Sequence, residues 1–138
     1  MTNDVHVTVV PRAGRKTAST GSAWEPKMGY SRAVRSGNYI AVSGTVGVNA
    51  DGKYPPSAGE QTRRSLQIIR AAIEALGGKI EDVIRTRMFV TDVSKWEEVA
   101  KVHGEVFGNI RPATAIVEVA KLIDADAKIE IEADAIVP

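Results

Sequence analysis

Two glutamates near the end of the chain, Glu130 and Glu132 in Lys128-Ile129-Glu130-Ile131-Glu132-Ala133, are spaced to share one face of a strand, opposite Ile129 and Ile131. Closed over by another surface, a carboxylate there is partly desolvated and suited to holding a water or passing a proton. His103 falls on or beside an apolar stripe formed with Trp96, Val99 and Val106, where a histidine commonly satisfies a partner in a core or an interface. His6 lies in the alternating run of Val5, Val7 and Val9 and is expected at the surface. Two distant histidines, no cysteine and no His-x-x-x-His or Glu-x-x-His spacing lead to no expected metal. Neither Ser43-Gly44 nor Ser65 belongs to a Gly-x-Ser-x-Gly elbow, which removes the usual serine nucleophile. Gly77-Gly78 closes a helix instead of opening one, so no phosphate cradle is expected. Arg63, Arg64 and Arg70 share a helix with no interleaved aromatics, the pattern of a solvated face and not of an RNA surface.

The elements that must position these groups follow from periodicity. Val5 to Val9 predicts a short edge strand, and Pro11 to Gly29 a surface loop. Tyr30–Ser36 and Tyr39–Val46 predict a hairpin about Gly37-Asn38. Ser57-Ala58-Gly59-Glu60 has the form of a capping box and opens a helix with Leu66, Ile69, Ile73 and Leu76 on one stripe, ending at Gly77-Gly78. Val83 to Val93 alternates as a strand. Ser94-Lys95-Trp96-Glu97 repeats the capping pattern ahead of a second helix ending at Gly108, and strands near Thr114–Lys121 and Ala127–Ile136 complete the chain. The order β-β-β-α-β-α-β-β, with two one-sided helices, predicts an α+β two-layer sandwich: a mixed β-sheet with both helices on one face. The other face carries Arg85, Arg87 and Phe89, which association with another copy would bury.

Composition sets the limits. The chain has 138 residues, enough for one core and one domain over 1–138, with 1–28 as an N-terminal edge strand and loop extension. Eighteen basic side chains against 17 acidic ones provide no field to attract nucleic acid or an anionic membrane, so a small-molecule ligand is favoured. No apolar run is long enough for a signal peptide core or a membrane span, and the expected location is cytoplasmic.

From Gly29 to Val137 the chain resembles the reactive-intermediate deaminases, the RidA or YjgF-type family, also described as endoribonuclease L-PSP. The resemblance rests on Gly29-Tyr30, Val42-Ser43-Gly44, Glu60-Gln61-Thr62-Arg63, Phe89-Val90-Thr91-Asp92, Pro112-Ala113, Val117-Glu118-Val119-Ala120 and the closing Lys128 to Ala133 run, in that order and spacing. It implies a chorismate-mutase-like fold, a homotrimer with inter-subunit clefts, hydrolysis of enamines or imines such as 2-aminoacrylate, and no cofactor. It also implies that Tyr30, Ser43 and Gly44 line the pocket and that Glu130 positions water. Two positions depart: Ala100 stands where the family has a helix asparagine, and Thr114 where it has the arginine that grips the substrate carboxylate. A hydroxyl cannot supply the two parallel charge-assisted hydrogen bonds of a guanidinium, so the standard 2-aminoacrylate activity is not expected. Arg87, on the sheet face of Phe89, and Arg111, three residues before Thr114, are the candidate replacements, with His103 and Glu105 as polar groups at the cleft rim. The alternatives are a non-enzymatic ligand-binding trimer, acting as sensor or chaperone, and an endoribonuclease.

Overall fold

A computed structural model describes residues 4–138. Its centre is one seven-stranded mixed sheet in the order β1-β2-β3-β4-β7-β5-β6, built from β1 (Thr8–Arg12), β2 (Arg15–Ser19), β3 (Ala33–Ser36), β4 (Tyr39–Val46), β5 (Val83–Val90), β6 (Ala113–Glu118) and β7 (Ile129–Ile136). Only β5 and β6 pair in parallel; every other neighbouring pair is antiparallel. Helices α2 (Ala58–Ala75) and α3 (Trp96–Phe107) supply the second layer, and a short α1 (Trp24–Met28) lies between β2 and β3. Leu66, Ile69, Ile73 and Leu76 of the first predicted helix are all buried, packed with Ile40, Val42, Met88, Ile129, Ile131 and Ala133 of the sheet. Each such side chain contributes roughly 1.5–3 kcal/mol by leaving water.

Local chemistry explains the boundaries. The Ser57 hydroxyl accepts the Glu60 amide at 3.1 Å and starts α2 where the capping pattern predicts it. The second predicted box does not form. Asp92 takes Ser94 instead, accepting from its amide at 3.0 Å and its hydroxyl at 2.6 Å, and this starts a 3-10 turn over Val93–Lys95 ahead of α3. Trp96 is accordingly 51% exposed, and the buried face of α3 is Val99, Val102 and Phe107. The segment expected as a loop from Pro11 to Gly29 is a hairpin followed by a helical turn. Ala13 and Gly14 make its turn at φ +48° and +79°, and Thr17 and Ala18 of β2 are both buried. The edge strand lies a few residues later than Val5 to Val9, and the strands expected at Tyr30–Ser36, Val83–Val93 and Thr114–Lys121 are shorter. His6 is exposed, as expected.

Helices α2 and α3 cover the sheet face of Thr86, Met88 and Val90. On the opposite face Arg85 is exposed and Phe89 half-buried, while Arg87 reaches Asp134 at 3.1 Å and Glu132 at 3.6 Å. Among the described residues, no helix is long and apolar enough to cross a membrane.

Candidate functional site

The groups singled out in the sequence fall into two clusters. The first surrounds Glu130 at a cavity of about 120 Å³ whose lining includes Tyr30, Arg32, Gly44, Tyr54 and Asp124. The pairing of β4 with β7 slips between Val42 and Thr45, leaving Ser43 and Gly44 outside the regular ladder; Gly44 lies against Glu130, whereas Ser43, expected to line the pocket, is not part of the cavity lining. A Cβ on Gly44 would stand 2.9 Å from the Glu130 Cδ, so glycine is what lets the carboxyl lie against this backbone. Burial pushes the Glu130 carboxyl above its ordinary value; the Arg32 guanidinium pulls it down and Glu132 adds to the rise.

Arg32 organises the cavity, although nothing in the motifs pointed to it. It is 6% exposed, and Nη1 donates to the Gly44 carbonyl at 2.6 Å and to Thr45 Oγ1 at 3.0 Å. Nη2 donates to the Tyr30 hydroxyl at 3.0 Å, while the buried Nε has no partner among the described residues. Tyr30 therefore accepts from Arg32 and keeps its own proton for another acceptor. Tyr54, half-buried beside Asp124, has its phenol pushed up to about 12 by partial burial and by the Asp124 carboxylate, and stays protonated. The Ser43 hydroxyl donates to the Ser31 carbonyl at 2.6 Å, so its one proton is already committed. Arg32 lies two residues after Tyr30, in a bend just ahead of β3, and no motif marked it; Tyr54 sits among turn residues and carried no signal.

The second cluster lies under α3. Thr114 Oγ1 is 2.7 Å from Thr86 Oγ1, which is 2.8 Å from His103 Nε2. The His103 ring packs on Phe107 with centroids 4.6 Å apart, and burial lowers its proton affinity. Arg111, immediately upstream, takes φ +58° with its amide bonded to the Phe107 carbonyl and its side chain exposed.

One chain does not bring the two clusters together. Thr114 pairs in register with Thr86 on the helix-covered face, whereas Glu130 alternates with the buried Ile129 and Ile131 and points to the other face. Phe89 is in register with Glu130 on that second face, half-buried. Arg87 is occupied by Asp134 and Glu132, and neither it nor Arg111 lines the Glu130 cavity; the guanidinium there is that of Arg32.

Residues 20–137 match the family described as Endoribonuclease L-PSP. A 2-iminobutanoate/2-iminopropanoate deaminase from Escherichia coli is 37% identical over 125 residues, spanning 88% of this chain and 97% of its own. A RutC family protein from Pyrococcus horikoshii is 34% identical over 122 residues, spanning 83% of this chain and 91% of its own. Among solved structures, a Mycobacterium tuberculosis member of the YjgF/YER057c/UK114 family superposes with TM-score 0.83 at 46% identity, covering 89% of this chain and 99% of that one. The YjgF gene product of Escherichia coli superposes with TM-score 0.73 at 38% identity, covering 78% and 87%.

Proposed function

Because the chain belongs to the Endoribonuclease L-PSP family, the YjgF or RidA group, we propose that it is a small-molecule hydrolase of deaminase type, acting on an enamine, imine or related carbonyl metabolite in a cleft completed by a second copy of itself. The observation that carries this reading is the half-buried Glu130 carboxylate laid on Gly44 in a cavity with Arg32 and Tyr30, on the sheet face opposite Thr114. Each cluster is half of a site. A homotrimer, the assembly implied by the family resemblance, sets the Glu130 half of one copy against the Thr114 half of the next and covers the open sheet face.

In this cleft Glu130 accepts a hydrogen bond from water and aims its oxygen at the imine carbon. Addition moves a water proton to nitrogen, the C–N bond of the resulting carbinolamine breaks, and ammonia and a carbonyl product leave. No cofactor enters these steps. Tyr30 donates its free proton to a substrate oxygen, and Thr114 offers one neutral hydrogen bond where the family's arginine offers two charged ones. The 2-imino acids named for the Escherichia coli relative are therefore poor substrates here. A soluble, cytoplasmic setting suits this chemistry.

Ammonia release from freshly generated 2-aminoacrylate tests the reading. The wild type is expected to be slow, Thr114→Arg faster and Glu130→Gln inactive; wild-type turnover as fast as that of an arginine-bearing relative overturns it. A second reading, a non-enzymatic ligand-binding trimer, is favoured by Trp24, Met28 and Ile123, which line the same cavity at 45%, 63% and 72% exposure. Ribonuclease action has little support, since a net charge of +1 provides almost no attraction for a polyanion.

A further inference from the structure

Thr86 has no part in the reaction as described, yet it is fully buried and its hydroxyl joins the two polar groups of the α3 cluster. A threonine hydroxyl carries one proton, so Thr86 donates to one neighbour and accepts from the other. The chain has two self-consistent polarities. With the ring proton on Nε2, it runs outward from His103 to Thr86 to Thr114, and the Thr114 proton is left for an acceptor in the cleft. With Nε2 bare, it runs inward and Thr114 presents only lone pairs.

Several observations favour the outward direction. Burial alone disfavours the imidazolium, with no charged neighbour contributing, so the ring is neutral and its one proton sits on one nitrogen. Among the described residues, no protein group bonds Nδ1 and draws the proton there. Phe107 packs against the ring and restricts its rotation. Thr114 is exposed, so a proton freed on its hydroxyl is accessible to a group outside the chain.

We propose that Thr86 is a positioning residue that passes the donor polarity of His103 Nε2–H to Thr114, making the hydroxyl at the family's arginine position a fixed single donor to a ligand oxygen. One neutral donor suits a carbonyl, amide or ester oxygen better than a carboxylate, which asks for two charged donors. The substrate class becomes an uncharged carbonyl or conjugated compound. This assignment of ligand rests on the hydrolase reading; the hydrogen-bond chain does not.

Nitrogen-15 NMR of histidine-labelled protein tests the chain without any substrate, because only His6 and His103 contribute signals. At neutral pH His103 is expected to be neutral with its proton on Nε2. Thr114→Val, which does not touch the imidazole, is expected to move the Nε2 resonance, Thr86→Val to move it further, and Thr86→Ser to restore it. A proton on Nδ1, or a Nε2 signal indifferent to Thr114→Val, overturns the proposal. In the kinetic arm, with 2-aminoacrylate and neutral enamine probes, Thr86→Val is expected to slow ammonia release about tenfold, the effect of roughly one lost hydrogen bond, and as far as Thr114→Val does. Turnover that depends on Thr114 but not on Thr86 sinks the relay alone. A relay seen by NMR in a protein that turns over neither probe sinks the hydrolase reading alone.

Discussion

Glu130 is held in a conflict that suits a group meant to handle a proton. Burial and Glu132 raise its proton affinity, and Arg32 offsets part of that rise. With the carboxylate as the working form, activity rises as pH climbs through a value above that of an ordinary glutamate, and a pH–rate profile reads that limb directly. The stability consequence has the opposite sign. A carboxyl whose folded pKa is raised binds its proton more tightly in the folded state, so its contribution is present below the unfolded value and lost as pH rises through the folded one. Glu130→Gln is thus expected to abolish turnover while unfolding at an equal or higher temperature at neutral pH; a lower midpoint in calorimetry contradicts this account. Gly44→Ala is expected to cut turnover with little loss of stability, since the added Cβ meets the flexible Glu130 side chain and displaces it.

At the scale of elements, the cavity depends on how α2 is started and what it grips. Ser57→Ala removes the acceptor for the Glu60 amide and is expected to cost about 1 kcal/mol in chemical denaturation. Gln61, buried in the first turn of α2, donates to the Pro55 and Asp126 carbonyls at 3.0 and 3.1 Å and accepts the Lys128 amide at 2.7 Å. It ties the segment that delivers β7 to the helix. Gln61→Leu leaves these backbone groups unpaired and is expected to cost about 3 kcal/mol. The α2 stripe and the β7 alternation were legible because one face of each meets the core, and the Gly37 turn because a tight hairpin asks for the positive φ, +61°, that glycine takes there. The β1–β2 hairpin was not: Arg12, Arg15 and Lys16 flank its turn, and Thr17 and Ala18 are buried in succession, so no alternating pattern marks it. Nor does a capping pattern reveal that Asp92, two residues upstream, will take Ser94 as its partner.

For the whole molecule, Thr114 and Glu130 lie on opposite faces of the sheet, so the proposed site needs a second copy of the chain. Sedimentation is expected to give three copies, and Phe89→Asp, placing a charge on the open face beside Glu130, to weaken association and lower activity together. Full activity in a monomer would remove the need for the second copy. Covering that face would also desolvate Glu130 further, raising its proton affinity beyond what the single chain shows.

By itself the sequence determined the helix–sheet layering, the face on which Glu130 and Glu132 stand and the exclusion of cysteine chemistry. These are statements about residue type and period, which neighbouring residues along a strand or helix suffice to specify. Only the tertiary structure decided that Arg32 holds Tyr30 and Gly44, that Arg87 is spent on Asp134 and Glu132, and that Thr114 is wired through Thr86 to His103 while Glu130 faces away. Each of those depends on which strands pair and in what register, and register is set by long-range packing that no local spacing records.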